Sequence, residues 1–367
     1  MGRLGTAIRR LMSRGDAGFS VPAMDGVFKP DNRLEQAERL LTLDDIDNLV
    51  PAGAGLLCSS GNSLRRIELR GAQVVSHEIA RFEGEVTFIA RAPDGGLALG
   101  VEGQGIHAGK PGSWKGRALP RAQPACAVAG AFAADGTLFV CIGSARHGAR
   151  AWKRDLMELG RSGSILAFPP GDGLPREIAA GLAFPYGVVG LPGGRIAVSE
   201  SWRHRILELD PHSGARRILV EDLPAYPARL APASGAGFWL GLFAPRRQLF
   251  ELVLREHNYR REMMATIDPG EWVGPDLAGS ARPDQPIQQG SIRQMGVLKP
   301  WGPSQSYGLV ARCDADMNPL ESWHSRADGT MHGITSVCEL AGAAYAASRG
   351  SGTLLRLPAG GKGSSHG

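Results

Sequence analysis

The sequence predicts an all-β chain folded as a six-bladed β-propeller, and three observations carry that prediction. A short phrase recurs six times: a turn built on Gly, then a run of alternating small and apolar residues. The copies begin near Gly55, Gly96, Gly136, Arg195, Gly237 and Ala343. Most intervals between them are about 40–60 residues, the spacing of one four-stranded blade. The composition agrees: 51 Gly and 25 Pro suit many tight turns between short strands, and 21% charged residues is too few for broad disorder.

The elements follow in chain order. Residues 1–23 read as a flexible N-terminus. They carry Arg3, Arg9, Arg10 and Arg14 but no apolar run long enough for a signal-peptide core. Residues 24–358 form the propeller domain. Within it, residues 32–50 read as an N-terminal helix on the rim. Asn32 suits the cap, Glu35 stands three residues on, and Leu34, Ala37, Leu40 and Leu41 share a face. Period-two alternation marks outer strands at 63–69, 163–168, 205–209, 248–254 and 353–357. Residues 255–266 suit a short helix. The last interval, from Gly237 to Ala343, holds one blade plus a long insertion. We read residues 255–332 as a blade strand and a lid-like excursion before the last blade. The part from 268 on is expected to bring Trp301 and His324 toward the axis. Residues 359–367 read as a flexible tail.

Several function classes are excluded or set back. The net charge is +5, but Lys and Arg are scattered, so a nucleic-acid partner is not expected. No segment reaches the apolar length of a membrane span, and the expected compartment is the cytoplasm. The five cysteines, Cys58, Cys126, Cys141, Cys313 and Cys338, show no CxxC spacing. They read as buried free thiols, with no disulfide framework or zinc site. Gly103 to Ala108 matches GxGxxA, yet Gly109 and Pro111 stop the helix a dinucleotide site needs. No GxSxG elbow lies within the propeller domain, and there is no HExxH. Ser325 follows His324, but adjacency in sequence does not make a nucleophile–base pair. No cofactor is expected.

Two blocks carry a family resemblance. One runs from Ala183, Phe184, Pro185 and Tyr186 through Arg195, Glu200 and Arg205 to Ile206. The other is Asp222, Leu223, Pro224, Tyr226 and Pro227, followed by Phe238 and Trp239. Together they resemble the strictosidine synthase-like family of six-bladed propellers, in its bacterial branch, over about residues 24–357. The resemblance implies the fold and a small-molecule site in the axial mouth. It also implies kinship with gluconolactonase- and paraoxonase-type propellers, which hold an axial Ca²⁺ with Asn, Asp and Glu. This chain departs from that pattern. Tyr186 stands where an Asn is expected, and Ala228 and Arg229 stand where an Asp-Asn pair is expected. No axial metal is therefore expected. The catalytic Glu of the plant synthase aligns with Thr335, so the plant amine–aldehyde cyclisation is not expected either.

The candidate catalytic residues are Glu200 as acid, base or amine anchor, Arg229 as a clamp for an anion or carbonyl, and His324 and His332 as proton carriers. Tyr186, Trp239, Lys299, Trp301, Tyr307 and Arg326 are the candidate substrate-binding residues, since pockets combine aromatic walls with a few aimed polar groups. For Glu200, an ion pair with Arg203 or Arg205 is the competing expectation. The expected function is an enzyme acting on a small organic molecule in the axial pocket. Two alternatives are an esterase- or lactonase-type hydrolase and a non-catalytic binding propeller.

Overall fold

The ring of sheets closes on its own N-terminus. In the computed structural model, residues 21–71, 73–117, 126–171, 173–279, 293–294, 297–298 and 304–358 are described. Strand β1 (Glu38–Thr42) pairs antiparallel with the last strand of the chain, β26 (Thr353–Arg356), with Glu38 opposite Arg356. It thus becomes the outermost strand of the sixth blade, in which β26 is followed inward by β25 (Ala343–Ser348) and the innermost β24 (Ile334–Leu340). This corrects the expected helix at 32–50. Glu35 does not close a capping box. Its carboxylate accepts from the backbone N–H groups of Thr330 and Met331, at 2.9 and 2.8 Å. The local helical signal is overridden by pairing with a strand from the far end of the chain.

The other blades run outward from the axis in chain order. Blade 1 is β2 (Ile46–Ala52), β3 (Gly55–Ser60), β4 (Ser63–Arg70) and β5 (Gln73–Arg81). Blade 2 is β6 (Val86–Arg91), β7 (Leu97–Val101), β8 (Gly105–Lys110) and β9 (Ser113–Arg117). Blade 3 is β10 (Ala127–Phe132), β11 (Leu138–Ile142), β12 (Gly163–Phe168) and β13 (Arg176–Leu182). Blade 4 is β14 (Pro185–Gly190), β15 (Ile196–Glu200), β16 (Arg205–Leu209) and β17 (Arg216–Val220). Blade 5 is β18 (Ala225–Pro232), β19 (Phe238–Pro245), β22 (Leu309–Cys313) and β23 (Pro319–His324). Each copy of the repeated phrase is the second strand of its blade. The strands read as outermost at 63–69, 163–168, 205–209 and 353–357 are third strands. A further strand covers each of them.

Neighbouring sheets bury their apolar faces against each other. Phe139 and Ile165 of blade 3 meet Val188, Val198 and Leu207 of blade 4 in one such layer. The five cysteines lie free inside these layers. Burial pushes the thiols of Cys58, Cys126 and Cys313 up to about 12. We expect the folded protein to leave a thiol reagent unconsumed at pH 8, and all five to react once urea unfolds it. Rapid labelling without denaturant would show an open sheet interface.

Two expectations about the late part of the chain change. Residues 248–254 are not a strand. Helix α2 (Gln248–Arg255) and helix α3 (His257–Thr266) follow one another, after an earlier α1 (Trp152–Met157). Phe250, Leu252 and Leu254 fit alternation, whereas Leu249, Phe250, Val253 and Leu254 fit a helical face, and Phe250 and Val253 are the buried pair. The long excursion also starts earlier than expected. It leaves between β19 and β22, the second and third strands of blade 5, and carries α2, α3 and a hairpin of β20 (Arg293–Gln294) and β21 (Val297–Leu298). Residues 309–324, placed in the excursion by the sequence reading, are the outer half of blade 5. No helix among the described residues is long and apolar enough to cross a membrane.

Candidate functional site

Every innermost strand breaks register at the same level. The ladder skips between Val86 and Phe88, Ala127 and Ala129, Pro185 and Gly187, and Ile334 and Ser336. It skips over two residues between Asp47 and Val50 and between Pro227 and Leu230. The unpaired residues at these bulges include Asn48, Thr87, Val128, Tyr186, Arg229 and Thr335. A bulge frees backbone groups from the ladder and re-aims a side chain. Here six bulges form a ring around the axis. Tyr186, Ala228, Arg229 and Thr335, the four departures from the family pattern, are all members of it.

Arg229 fills the centre of that ring. Its Nη2 donates to the carbonyls of Thr87 and Val128, at 2.8 and 3.0 Å. Its Nη1 donates to the carbonyl of Thr335 at 3.4 Å and to both oxygens of Asp47, at 2.8 and 3.0 Å. The guanidinium carbon also lies 4.9 Å from the centre of the Tyr186 ring. Asp47 is saturated in turn, because the Thr335 hydroxyl and the Asn48 N–H donate to its Oδ1, at 2.7 and 2.8 Å.

The charge network continues outward. Arg349 lies 3.6 Å from Asp47 and 2.5 Å from Oε1 of Glu85. Burial opposes its charge, but Asp47 and Glu85 outweigh that and raise its pKa. Arg150 donates from Nε to Oε2 of Glu85 at 2.7 Å. Glu85 is thus held between two guanidiniums, one per oxygen.

Above this floor is a cavity of about 210 Å³. Asp45, Glu85, Arg150, Arg229 and Arg349 line its polar side, and Trp152, Phe184, Tyr186, Trp202, Phe243 and Leu277 line its apolar side. Topology explains why these residues meet. In an antiparallel four-stranded blade, the start of the first strand and the loop from second to third strand lie at the same end. Asp45, Glu85 and Phe184 precede first strands. Arg150, Trp152, Trp202 and Arg349 lie in second-to-third loops. The excursion from blade 5 is such a loop too, so it emerges at this mouth and supplies Leu277. Its neighbour Asp276 is anchored by Lys153 of α1 at 3.1 Å.

The aromatic wall is tightly keyed. Phe184 and Trp202 stack with ring centres 4.5 Å apart, and Trp202 donates to Asp155 at 2.8 Å. Glu200 works from behind this wall. It is fully buried, accepts from the Ala183 N–H at 2.7 Å and pairs with Arg205 at 2.5 Å. It therefore fixes the turn that presents Phe184, whose φ is +55°. The ion pair is what the structure places at Glu200, and its side chain does not line the cavity.

The other sequence-derived candidates divide clearly. Arg229 and Tyr186 line the cavity. Trp239 donates to Glu339 at 2.8 Å and packs on Trp323 between blades. His324 is at the end of β23, the outermost strand of blade 5, and not at the axis. It is fully buried, with Nε2 2.9 Å from the Ser322 hydroxyl and Nδ1 3.3 Å from that of Tyr307. Burial lowers its pKa to about 4. His332 is buried as well. It donates from Nε2 to the Arg326 carbonyl at 2.7 Å and accepts at Nδ1 from Ser306 at 2.7 Å. Burial lowers its pKa too. Arg326 makes a surface pair with Asp328 at 2.8 Å. Lys299 and Trp301 lie outside the described residues. Sequence reasoning missed Asp47, Glu85, Arg150, Arg349, Trp152 and Trp202. No local signal singled them out: Trp202 and Arg349 lie just after second strands, but which end of the blades carries the mouth is set only by ring closure.

The axial Ca²⁺ implied by the family resemblance does not fit these residues. The carbonyls and carboxylate that would meet it already accept from Arg229, and a divalent ion there would face a guanidinium at contact distance.

Comparisons with known proteins agree on the fold. No family model matches the chain, and no curated protein matches its sequence. Among solved structures, a gluconolactonase of Xanthomonas campestris superposes with TM-score 0.54 at 14% identity, covering 87% of this chain and 91% of its own. A calcium-binding protein, regucalcin, from Agrobacterium tumefaciens superposes with TM-score 0.52 at 11% identity, covering 89% and 93%. The chain is a six-bladed β-propeller whose structural neighbours include the gluconolactonase and regucalcin type.

Proposed function

We propose that this chain is a strictosidine synthase-like propeller enzyme that hydrolyses a small ester or lactone in the axial cavity. The observation that carries the reading is Glu85, a carboxylate on the cavity wall facing an aromatic box. Each of its oxygens keeps a lone pair beyond its single arginine contact. The aromatic side would hold the apolar or aromatic body of the substrate. Glu85 would take a proton from water as that water attacks the carbonyl carbon. N–H groups of Arg150 and Arg349 would receive the developing oxyanion. Collapse of the tetrahedral centre breaks the C–O bond, and the proton returns to the leaving alkoxide. Water is consumed; an ester gives one acid and one alcohol, and a lactone gives one hydroxy acid. The plant-type cyclisation is not part of this reading. The Thr335 hydroxyl, at the matching position, is committed to Asp47.

A panel of aryl and alkyl esters and lactones tests the reading. We expect turnover of at least one, and a loss of about 10²–10⁴-fold in kcat for Glu85→Gln. Substrate affinity should be largely retained, because the aromatic wall is untouched. Turnover indifferent to Glu85→Gln would refute the assignment. A second reading, a binding propeller without catalysis, draws on Asp47 and Glu85 both being engaged by arginine. Tight binding of an aromatic ligand with no turnover across the panel would favour it.

A further inference from the structure

We propose that Arg229 is the resident axial cation of this propeller, a tethered substitute for a bound metal ion. Four blades supply an oxygen cradle at one level: the carboxylate of Asp47 and the carbonyls of Thr87, Val128 and Thr335. Three of these oxygens are backbone carbonyls, each turned inward from a single-residue bulge on an innermost strand. Such hard oxygens concentrated on one point are the donor set of a closed-shell cation. In this chain the point is occupied by a planar guanidinium. Its two terminal nitrogens supply four N–H groups, and five contacts reach them. A planar fork of donors suits a ring of acceptors better than a lysine ammonium would.

The strand packing delivers the side chain there. Gly187, on the neighbouring innermost strand, allows the backbone of blade 4 to approach. A Cβ at that position would lie 2.6 Å from the Ala228 carbonyl and 2.8 Å from the Arg229 Cα. The cation is therefore built into the ring closure and does not depend on ion supply. This inference rests on the cradle alone and stands apart from the hydrolytic reading, since its test reads stability rather than turnover.

The test uses the full chain and thermal unfolding. The wild type should melt at the same temperature in EDTA and in millimolar Ca²⁺. Arg229→Ala leaves Asp47 and three carbonyls facing an empty centre, and should melt about 8 °C lower. Millimolar methylguanidinium, or Ca²⁺, should then raise the melting temperature of the variant but not of the wild type. Arg229→Lys keeps the charge and lacks the fork, and should fall between the two. If Arg229→Ala is recovered only as unfolded protein, the Lys variant carries the same comparison. Two results would overturn the proposal. One is a wild type that loses stability in EDTA and regains it with Ca²⁺. The other is variants whose stability neither falls nor responds to any added cation.

Discussion

Asp47→Ala is expected to destabilise the protein by about 3–5 kcal/mol, because it removes the carboxylate that the Arg229 guanidinium pairs with in the centre of the ring. The side chains of Arg229 and Asp47 are 12% and 4% exposed, so water replaces little of the lost pair. The Thr335 hydroxyl loses its acceptor in the same step. Exposed pairs on this molecule, such as Arg70 with Glu68, should matter far less, under about 1 kcal/mol. Urea unfolding of Asp47→Ala, Arg229→Ala and the double variant measures the coupling. The double variant should be less destabilised than the sum of the singles. Additive losses would mean that the two residues do not act as a unit.

Acid is expected to unfold the protein through its buried imidazoles. In the folded state the pKa of His324 is depressed to about 4, mainly by burial, with Arg33 adding to that and Asp31 opposing it. The unfolded value is about 6.5. Between these values the unfolded chain binds the proton and the folded chain does not. Stability is therefore complete above about pH 6.5 and falls as the pH drops toward 4. His324 alone contributes on the order of 3 kcal/mol over that window. His332 and His204 shift the same way, so their contributions add in sign. The neutral ring of His324 is matched by its partners. The Ser322 hydroxyl donates to the Val27 carbonyl at 2.5 Å and is left to accept from Nε2–H, while the Tyr307 hydroxyl can donate to Nδ1. Urea midpoints at pH 7.5, 5.5 and 4.5 measure the slope, and His324→Gln should flatten it. An unchanged slope in that variant would assign the acid sensitivity elsewhere.

Much of the architecture is legible in local sequence. Alternation after a Gly turn is a short-range signal, and each of its six copies became the second strand of a blade. Tyr186, Arg229 and Thr335 were also legible, as departures from a family pattern, and all three stand on the axial bulges. The rest depended on contacts the chain makes only when closed. Residues 32–50 carry helical signals, but β1 forms because β26 offers a free edge. Residues 248–254 satisfy both periods, and packing of Phe250 and Val253 decided for the helix. The polar floor of the cavity is the clearest case. Arg229 meets Asp47 across 182 positions, and Arg349 meets Glu85 across 264. Nothing near Asp47 or Glu85 in sequence announces these partners. Sequence alone determined the number of blades, through a repeat that each blade satisfies locally. Only ring closure decided which end holds the cavity and which charges meet there, because the electrostatic energy of a buried pair depends on distance in space and on exclusion of water, and neither is a property of neighbours along the chain.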